Sequence, residues 1–306
     1  MRAAFIRTLI QLAEADDRVM LLTGDLGFMV VEPFADRFPD RFYNVGVAEQ
    51  NMVGVATGLA EAGFIPYTYS IATFAALRPY EFIRNGPVHH QLPVRVVGVG
   101  GGFAYGTAGH THHSLEDVAV MRAQPAISVV APADSEQTVT AMRATWDLPG
   151  PLYLRLGKDS GSAIPGLDGR FGLGRAERVR EGRDLVMVAM GPVAATAVAA
   201  AGSLAEHGVE CAVVVVASLS PPPVQDLVHA LTGCTVALTI EAHSVVGGVG
   251  SLVCEVVAEA GLGCRVVRCG VRSPPGDGLL GDEAYLLAAH GISRESLVSA
   301  ACTALG

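Results

Sequence analysis

Short apolar runs recur along this chain, each followed by a polar or glycine-rich turn and then by residues whose apolar positions fall at helical spacing. Runs at 18–22, 41–45, 64–69, 94–99, 127–130 and 152–155 read as strands, and 2–14 reads as a first helix. Strands and helices that alternate in this way pack as a parallel sheet with helices on its faces. Ligands of such sheets gather at the carboxyl ends of the strands. Asp25, in the turn Thr23-Gly24-Asp25-Leu26-Gly27, Glu49 and the loop 98–114 all lie just past strands. From about 157 to 182 the chain turns to Gly, Pro and Arg without periodicity, which marks a boundary. A second set follows, with strands expected at 184–190, 210–216, 235–240 and 264–269 and helices at 193–207, 224–231, 249–260 and 283–289. The expected organisation is two parallel-sheet α/β domains, 1–160 and 183–306, joined by a linker at 161–182.

Composition narrows the function. Charged residues make up 17% of the 306 and mean hydropathy is +0.40, yet the longest apolar run, about 211–217, falls far short of the roughly 18 residues a membrane span needs. Buried parallel strands account for part of that apolarity, and a large subunit interface is expected to account for the rest. The net charge of −9, without a basic cluster, speaks against nucleic acid and against an anionic membrane surface. The first residues lack the apolar core of a secretory signal, since Arg7, Asp16 and Asp17 interrupt them. All six cysteines fall in the second half without a CxxC pair, so reduced thiols and a cytoplasmic location are expected.

The most informative stretch is 44–84, NVGVAEQNMVGVATGLAEAGFIPYTYSIATFAALRPYEFIR. After Glu49, positions Met52, Val55, Ala56, Leu59 and Ala60 keep the period of an amphipathic helix, which places Glu49 in a first turn. A carboxylate there stabilises the helix dipole and the unpaired backbone donors without any further role. That reading stays open on spacing alone.

The string GVAEQNM, the small-residue helix and strand after it, and TF-x3-RPYE-x-IR together resemble the pyrimidine-binding domain of transketolases. The resemblance implies that Glu49 hydrogen-bonds N1′ of the aminopyrimidine ring of thiamin diphosphate and that Phe74 lies against that ring. A carboxyl in this role must hold a proton near neutrality, which desolvation among apolar neighbours provides. Val47, Met52 and Val53 are the expected neighbours. Asp25 matches an Asp near the cofactor at the subunit boundary. Gly24-Asp25 with Asn51 imitates the GDG…N signature for the magnesium diphosphate, but Leu26 replaces the last Gly and Asn51 falls inside the helix. No metal site is therefore expected on this chain.

The loop 98–114, GVGGGFAYGTAGHTHHS, holds His110, His112 and His113 within four residues. Such density invites a metal, but His-x-His-His lacks the spaced further ligands of a closed zinc site. Thr111-His112 matches the TH segment of transketolases, where the His meets the donor's carbonyl and first-carbon hydroxyl, so His112 is the expected substrate and proton-transfer residue. His110 and His113 would widen its polar patch. Where sugar transketolases carry an Asp and a His for the donor, this chain has Ala108 and Gly100. Arg2 and Arg155 match phosphate ligands, a task for which Arg is suited.

In the second half, the segment 239–250 resembles the EEHS-x2-GG-x-G turn of the transketolase C-terminal domain, with Glu241 and His243 the residues to follow. Its glycines serve either packing or an anion at a helix start. The resemblance covers nearly the whole chain and points to the C-terminal subunit of a split transketolase, which transfers a two-carbon ketol unit from a ketose to an aldose. Thiamin diphosphate would be shared with a separate N-terminal subunit that carries the diphosphate-binding domain and the Mg2+ ligands, expected as α2β2. Two other readings stay open: the β subunit of a 2-oxo acid dehydrogenase E1, and a non-catalytic stabilising partner.

Overall fold

The computed structural model describes residues 1–158, 163–272 and 278–306. The first part runs α1 (Arg2–Ala15), β1 (Val19–Thr23), α2 (Glu32–Arg37), β2 (Phe42–Asn44), α3 (Glu49–Glu61), β3 (Ile65–Ile71), α4 (Ala72–Leu77), α5 (Tyr80–Ile83), β4 (Arg95–Val99), α6 (Asp117–Arg122), β5 (Ser128–Val130), α7 (Ser135–Thr145) and β6 (Leu152–Leu156). The second runs β7 (Glu177–Arg180), β8 (Leu185–Met190), α8 (Ala194–Ala205), β9 (Cys211–Val215), β10 (Ser218–Ser220), α9 (Val224–Leu231), β11 (Val236–Ser244), α10 (Val249–Glu259), β12 (Arg265–Val271), α11 (Glu283–Ala289) and α12 (Arg294–Leu305). Among the described residues no helix is long and apolar enough to cross a membrane.

The two sheets are ordered β10-β5-β6-β4-β3-β1-β2 and β12-β11-β8-β9-β7. Every pairing is parallel except β10 with β5 and β7 with β9. β7 draws residues 177–180 of the expected linker into the second sheet, and the expected boundary at 160 and 161 lies outside the described residues. β10 crosses over: it leaves the second sheet after β9 and closes the edge of the first, with the Ala131 amide donating to the Ala217 carbonyl at 2.7 Å. Helical spacing does not reveal such a three-residue strand.

Helices cover both faces of the first sheet, so β1, β4 and β6 are buried along their whole length, as strands of a covered parallel sheet are. On one face α1 stacks Phe5 on Tyr69, centroids 5.4 Å apart. On the other, α3 buries Met52, Val53, Ala56 and Ala60. These four span an arc of about 100° on the helix, whereas Val55 falls outside it and is 38% exposed, against the sequence expectation.

Candidate active site

The sheet order sets the ends of β4, β3, β1 and β2 side by side, and the candidate residues follow those ends. Asp25, just after β1, has φ +57, a conformation rare for a residue with a side chain. Asn44, at the end of β2, holds it there: Asn44 Oδ1 accepts from the Asp25 amide and Asn44 Nδ2 donates to Asp25 Oδ1, each at 3.0 Å. Asn44 Oδ1 also accepts from the Gly46 amide at 3.0 Å, so one amide side chain fixes the turn that leads into α3.

Glu49 is the first residue of α3 and only 1% exposed. Its carboxylate turns away from the helix end onto the sheet. Ser70 of β3 donates to Oε1 at 3.0 Å and Arg78 to Oε2 at 2.8 Å. Met52 and Val53 are buried as expected, but Val47 is 69% exposed. The surroundings are therefore not purely apolar, a correction to the expected pocket: a hydroxyl and a guanidinium satisfy a carboxylate whose unpaired burial would cost several kcal/mol.

Phe74 sits on α4, after β3, with its ring edge-on to the imidazole of His112 at 5.2 Å between centroids. The Arg78 guanidinium lies over the same ring, 3.9 Å from its centroid. Arg78 follows Phe74 at i+4, the spacing at which helical side chains meet, and that spacing was the signal by which the sequence could have singled it out. His112 is half-buried, with Nδ1 3.0 Å from the Thr111 hydroxyl. Glu49, Arg78, Phe74 and His112 thus form one continuous group.

The other histidines part company. His110 is exposed. His113 is buried, its Nε2 3.3 Å from the Gly106 carbonyl and its ring edge-on to Phe103. It packs the loop instead of widening the polar patch, and the three imidazoles do not converge on a metal. Among the described residues no cluster of three or more His, Cys, Asp or Glu could hold one.

Two arginines were expected to bind phosphate. Arg2 is half-buried at the start of α1 and donates from Nε to the Lys158 carbonyl at 2.5 Å. Arg155 is 4% exposed and turned inwards, which corrects its expected role. Its Nε donates to Asp117 Oδ2 at 2.8 Å and its Nη2 to the carbonyls of Ser114 and Ala242 at 3.2 and 3.0 Å. Sequence reasoning also missed Tyr105 and Lys158. A Cβ on Gly100 would lie 2.2 Å from the Tyr105 ring, so the missing side chain makes room for that ring, which approaches His112 at 6.3 Å. The Lys158 ammonium lies over Tyr105 at 4.8 Å.

The same residues are what a family profile for the transketolase pyrimidine-binding domain covers, over 1–162, and a profile for the transketolase C-terminal domain covers 174–296. The chain belongs to the transketolase family. It is 35% identical to an apulose-4-phosphate transketolase subunit of Actinobacillus succinogenes, over 93% of this chain and 91% of that one. It is likewise 35% identical to a 6-deoxy-6-sulfo-D-fructose transketolase subunit of a Clostridium species, over 98% and 93%. Among solved structures it resembles a split gene transketolase in an inactive beta4 tetramer, with a TM-score of 0.88, 36% identity and coverage of 99% and 97%.

The transketolase C-terminal domain docks through the turn between β11 and α10. Glu241 there accepts the amides of Val249 and Gly250 at 2.8 and 3.0 Å. An internal carboxylate thus takes the helix-start donors that an external anion would use. Burial pushes Glu241 up to about 7 and His243 down to about 4. Although 3.8 Å apart, both are driven towards their neutral forms and do not make a salt bridge. Across the boundary, His243 Nε2 accepts from the Ala119 amide at 3.4 Å, and Arg122 donates to the Gly247 carbonyl at 2.8 Å. Asp117 completes the network: burial would raise it, but Arg155, with help from His243 and Tyr153, offsets this and holds it below the usual carboxylate value.

Proposed function

We propose that this chain is the pyrimidine-domain subunit of a split transketolase, which binds thiamin diphosphate jointly with a second subunit and moves a two-carbon ketol unit from a ketose to an aldose. The observation that carries the reading is the seat formed by Glu49 and Phe74. A planar N–H donor, the Arg78 guanidinium, already lies over Phe74 and donates to Glu49. An aminopyrimidine presents the same combination of flat face and in-plane hydrogen bonding, so these residues fit the cofactor. When bound, thiamin diphosphate supplies the carbon nucleophile and the electron sink of ketol transfer. Glu49 would hold a proton at N1′, Phe74 would fix the plane of the ring, and His112, at the edge of Phe74, would face the substrate's oxygens.

The diphosphate and Mg2+ belong on the partner in this reading, as in the split arrangement that the resemblance implies. Phe28 at 77% exposure, Met29 at 95% and Val47 at 69% stand on the loops that flank Glu49. Apolar side chains exposed in this way suit a protein interface, and we assign that surface to the partner in an α2β2 assembly. The cysteines are free thiols, in keeping with a cytoplasmic enzyme. Similarity to chains named as transketolase subunits, over nearly the full length of both partners, favours this reading over an E1 β subunit. The paired carboxylate and the ordered His112 favour it over a non-catalytic partner. Two relatives are named for apulose 4-phosphate and 6-deoxy-6-sulfo-D-fructose, and the lack of polar side chains at Ala108 and Gly100 supports a donor outside the common ketose phosphates. The test is reconstitution: the chain alone should lack cofactor-dependent aldehyde transfer, and addition of the diphosphate-domain subunit should restore it. Transfer by the lone chain would refute the split assignment.

A further inference from the structure

Arg78 has no place in the reaction proposed above, yet it makes the closest contacts in the site. Its Nη1 lies 2.8 Å from Glu49 Oε2, and its guanidinium carbon lies 3.9 Å above the centre of Phe74. Ser70 donates to the other carboxylate oxygen, so Arg78 covers the oxygen that Ser70 does not. The face of Phe74 under the guanidinium is the one on the Glu49 side, because a single planar group spans both. With the guanidinium carbon 3.9 Å from the ring centre, a second ring cannot enter between it and Phe74.

We infer that Arg78 occupies the pyrimidine seat of this chain and must swing out before the cofactor ring can enter. The inference rests on the reading of Glu49 and Phe74 as that seat. The side chain is built for such a move. It stands at the end of α4, 40% exposed against 1% for Glu49, so the arginine side chain is already partly in solvent while the carboxylate stays buried. Arg matches the ring it replaces, being planar, delocalised and a donor in its own plane. Its ion pair also stabilises the buried carboxylate as long as the ring is outside. A ligand that needs the open conformer binds with an affinity reduced by the fraction of time the seat is open. A seat filled by Arg78 for about 90–99% of the time weakens the ring's binding by about 10- to 100-fold.

The experiment titrates 4-amino-5-hydroxymethyl-2-methylpyrimidine, the ring without its diphosphate arm, into the full chain by isothermal titration calorimetry. Arg78→Ala should bind it at least about tenfold more tightly than the wild type. Arg78→Lys, which keeps the charge and loses the plane, should fall between them. The double variant Glu49→Ala/Arg78→Ala should lose the gain, because the carboxylate the ring needs is gone. Should Arg78→Ala fail to fold, Arg78→Gln removes the ion pair at similar size and decides the question. Equal or weaker binding in the folded Arg78 variants overturns the inference and leaves the seat assignment standing. Absence of binding in every version, at concentrations where the reconstituted enzyme takes up the same ring, overturns the seat assignment and the inference with it.

Discussion

Arg155 and Asp117 meet at 2.8 Å with side-chain exposures of 4% and 0%, where the two domains join. Arg155 belongs to β6 of the first sheet, but one of its donors reaches Ala242 on β11 of the second. The pair therefore ties β6 and α6 to the neighbouring domain at one point.

Removal of one member leaves the other a buried charge without its counter-ion. Arg155→Leu should destabilise the chain by about 3–5 kcal/mol, read from urea unfolding. If Arg155 instead held a substrate phosphate, the variant would keep its stability and show only a raised KM in the reconstituted enzyme. An unchanged unfolding midpoint would therefore return Arg155 to the substrate site.

Glu49→Gln keeps the shape of the side chain and its contact with Ser70, but it cannot give up or take a proton. In the reconstituted enzyme, cofactor binding should change little, while hydrogen exchange at the thiazolium carbon should slow by about 10²- to 10⁴-fold. NMR follows that exchange directly, and an unaltered rate would remove Glu49 from the proposed role.

Donor selectivity follows from the Tyr105 ring over Gly100. Neither Gly100 nor Ala108 offers a polar side chain to hydrogen-bond the donor, and unmatched buried polar groups are what penalise a wrong epimer, by about 1–3 kcal/mol each. Turnover of xylulose 5-phosphate and of its epimer at the hydroxyl-bearing carbon next to the carbonyl should differ by less than about 10²-fold, equivalent to about 2.7 kcal/mol. A larger preference would show that other residues restore the lost contacts.

Glu241 and His243 pull the stability in opposite directions as pH changes. Glu241 titrates higher folded than unfolded, so its stabilisation is present at low pH and is lost as pH rises through about 7. His243 titrates lower folded than unfolded, so its contribution is lost as pH falls towards about 4. Between the unfolded values of 4.5 and 6.5 the two slopes oppose each other, and stability should be nearly flat. His243→Gln should unmask a fall of up to about 1.4 kcal/mol per unit rise in pH over that window, read from urea midpoints. A variant that stays flat would show that the pair does not titrate as described.

Most of the strand order was legible because those strands are short apolar runs, whereas β7 (ERVR) and β10 (SLS) are not and escaped, as did the last helix α12. Glu49, Phe74 and His112 were legible as a group because the motif carried them, and the structure brings them together. Contact at a distance escaped as well. Nothing in the local pattern of Arg155 distinguishes a phosphate ligand from the buried partner of Asp117, 38 positions away. His113 follows His112 directly, yet His112 ends a short 3-10 turn and His113 leaves it with extended backbone, and its ring turns into the core. Ser70 pairs with Glu49 across 21 positions, a relation that neither helix nor strand period expresses.

β10 takes three residues from the second half of the sequence to finish the first sheet. A fragment cut where the composition changes would lose that strand and leave Val129 and Val130 of β5 with bare amides and carbonyls along an open edge. Such an edge recruits any free strand, another copy of the fragment included. The unit that can be expressed, exchanged between proteins or fused is therefore the two-domain chain, because the seam in the amino-acid composition does not coincide with the seam in the fold.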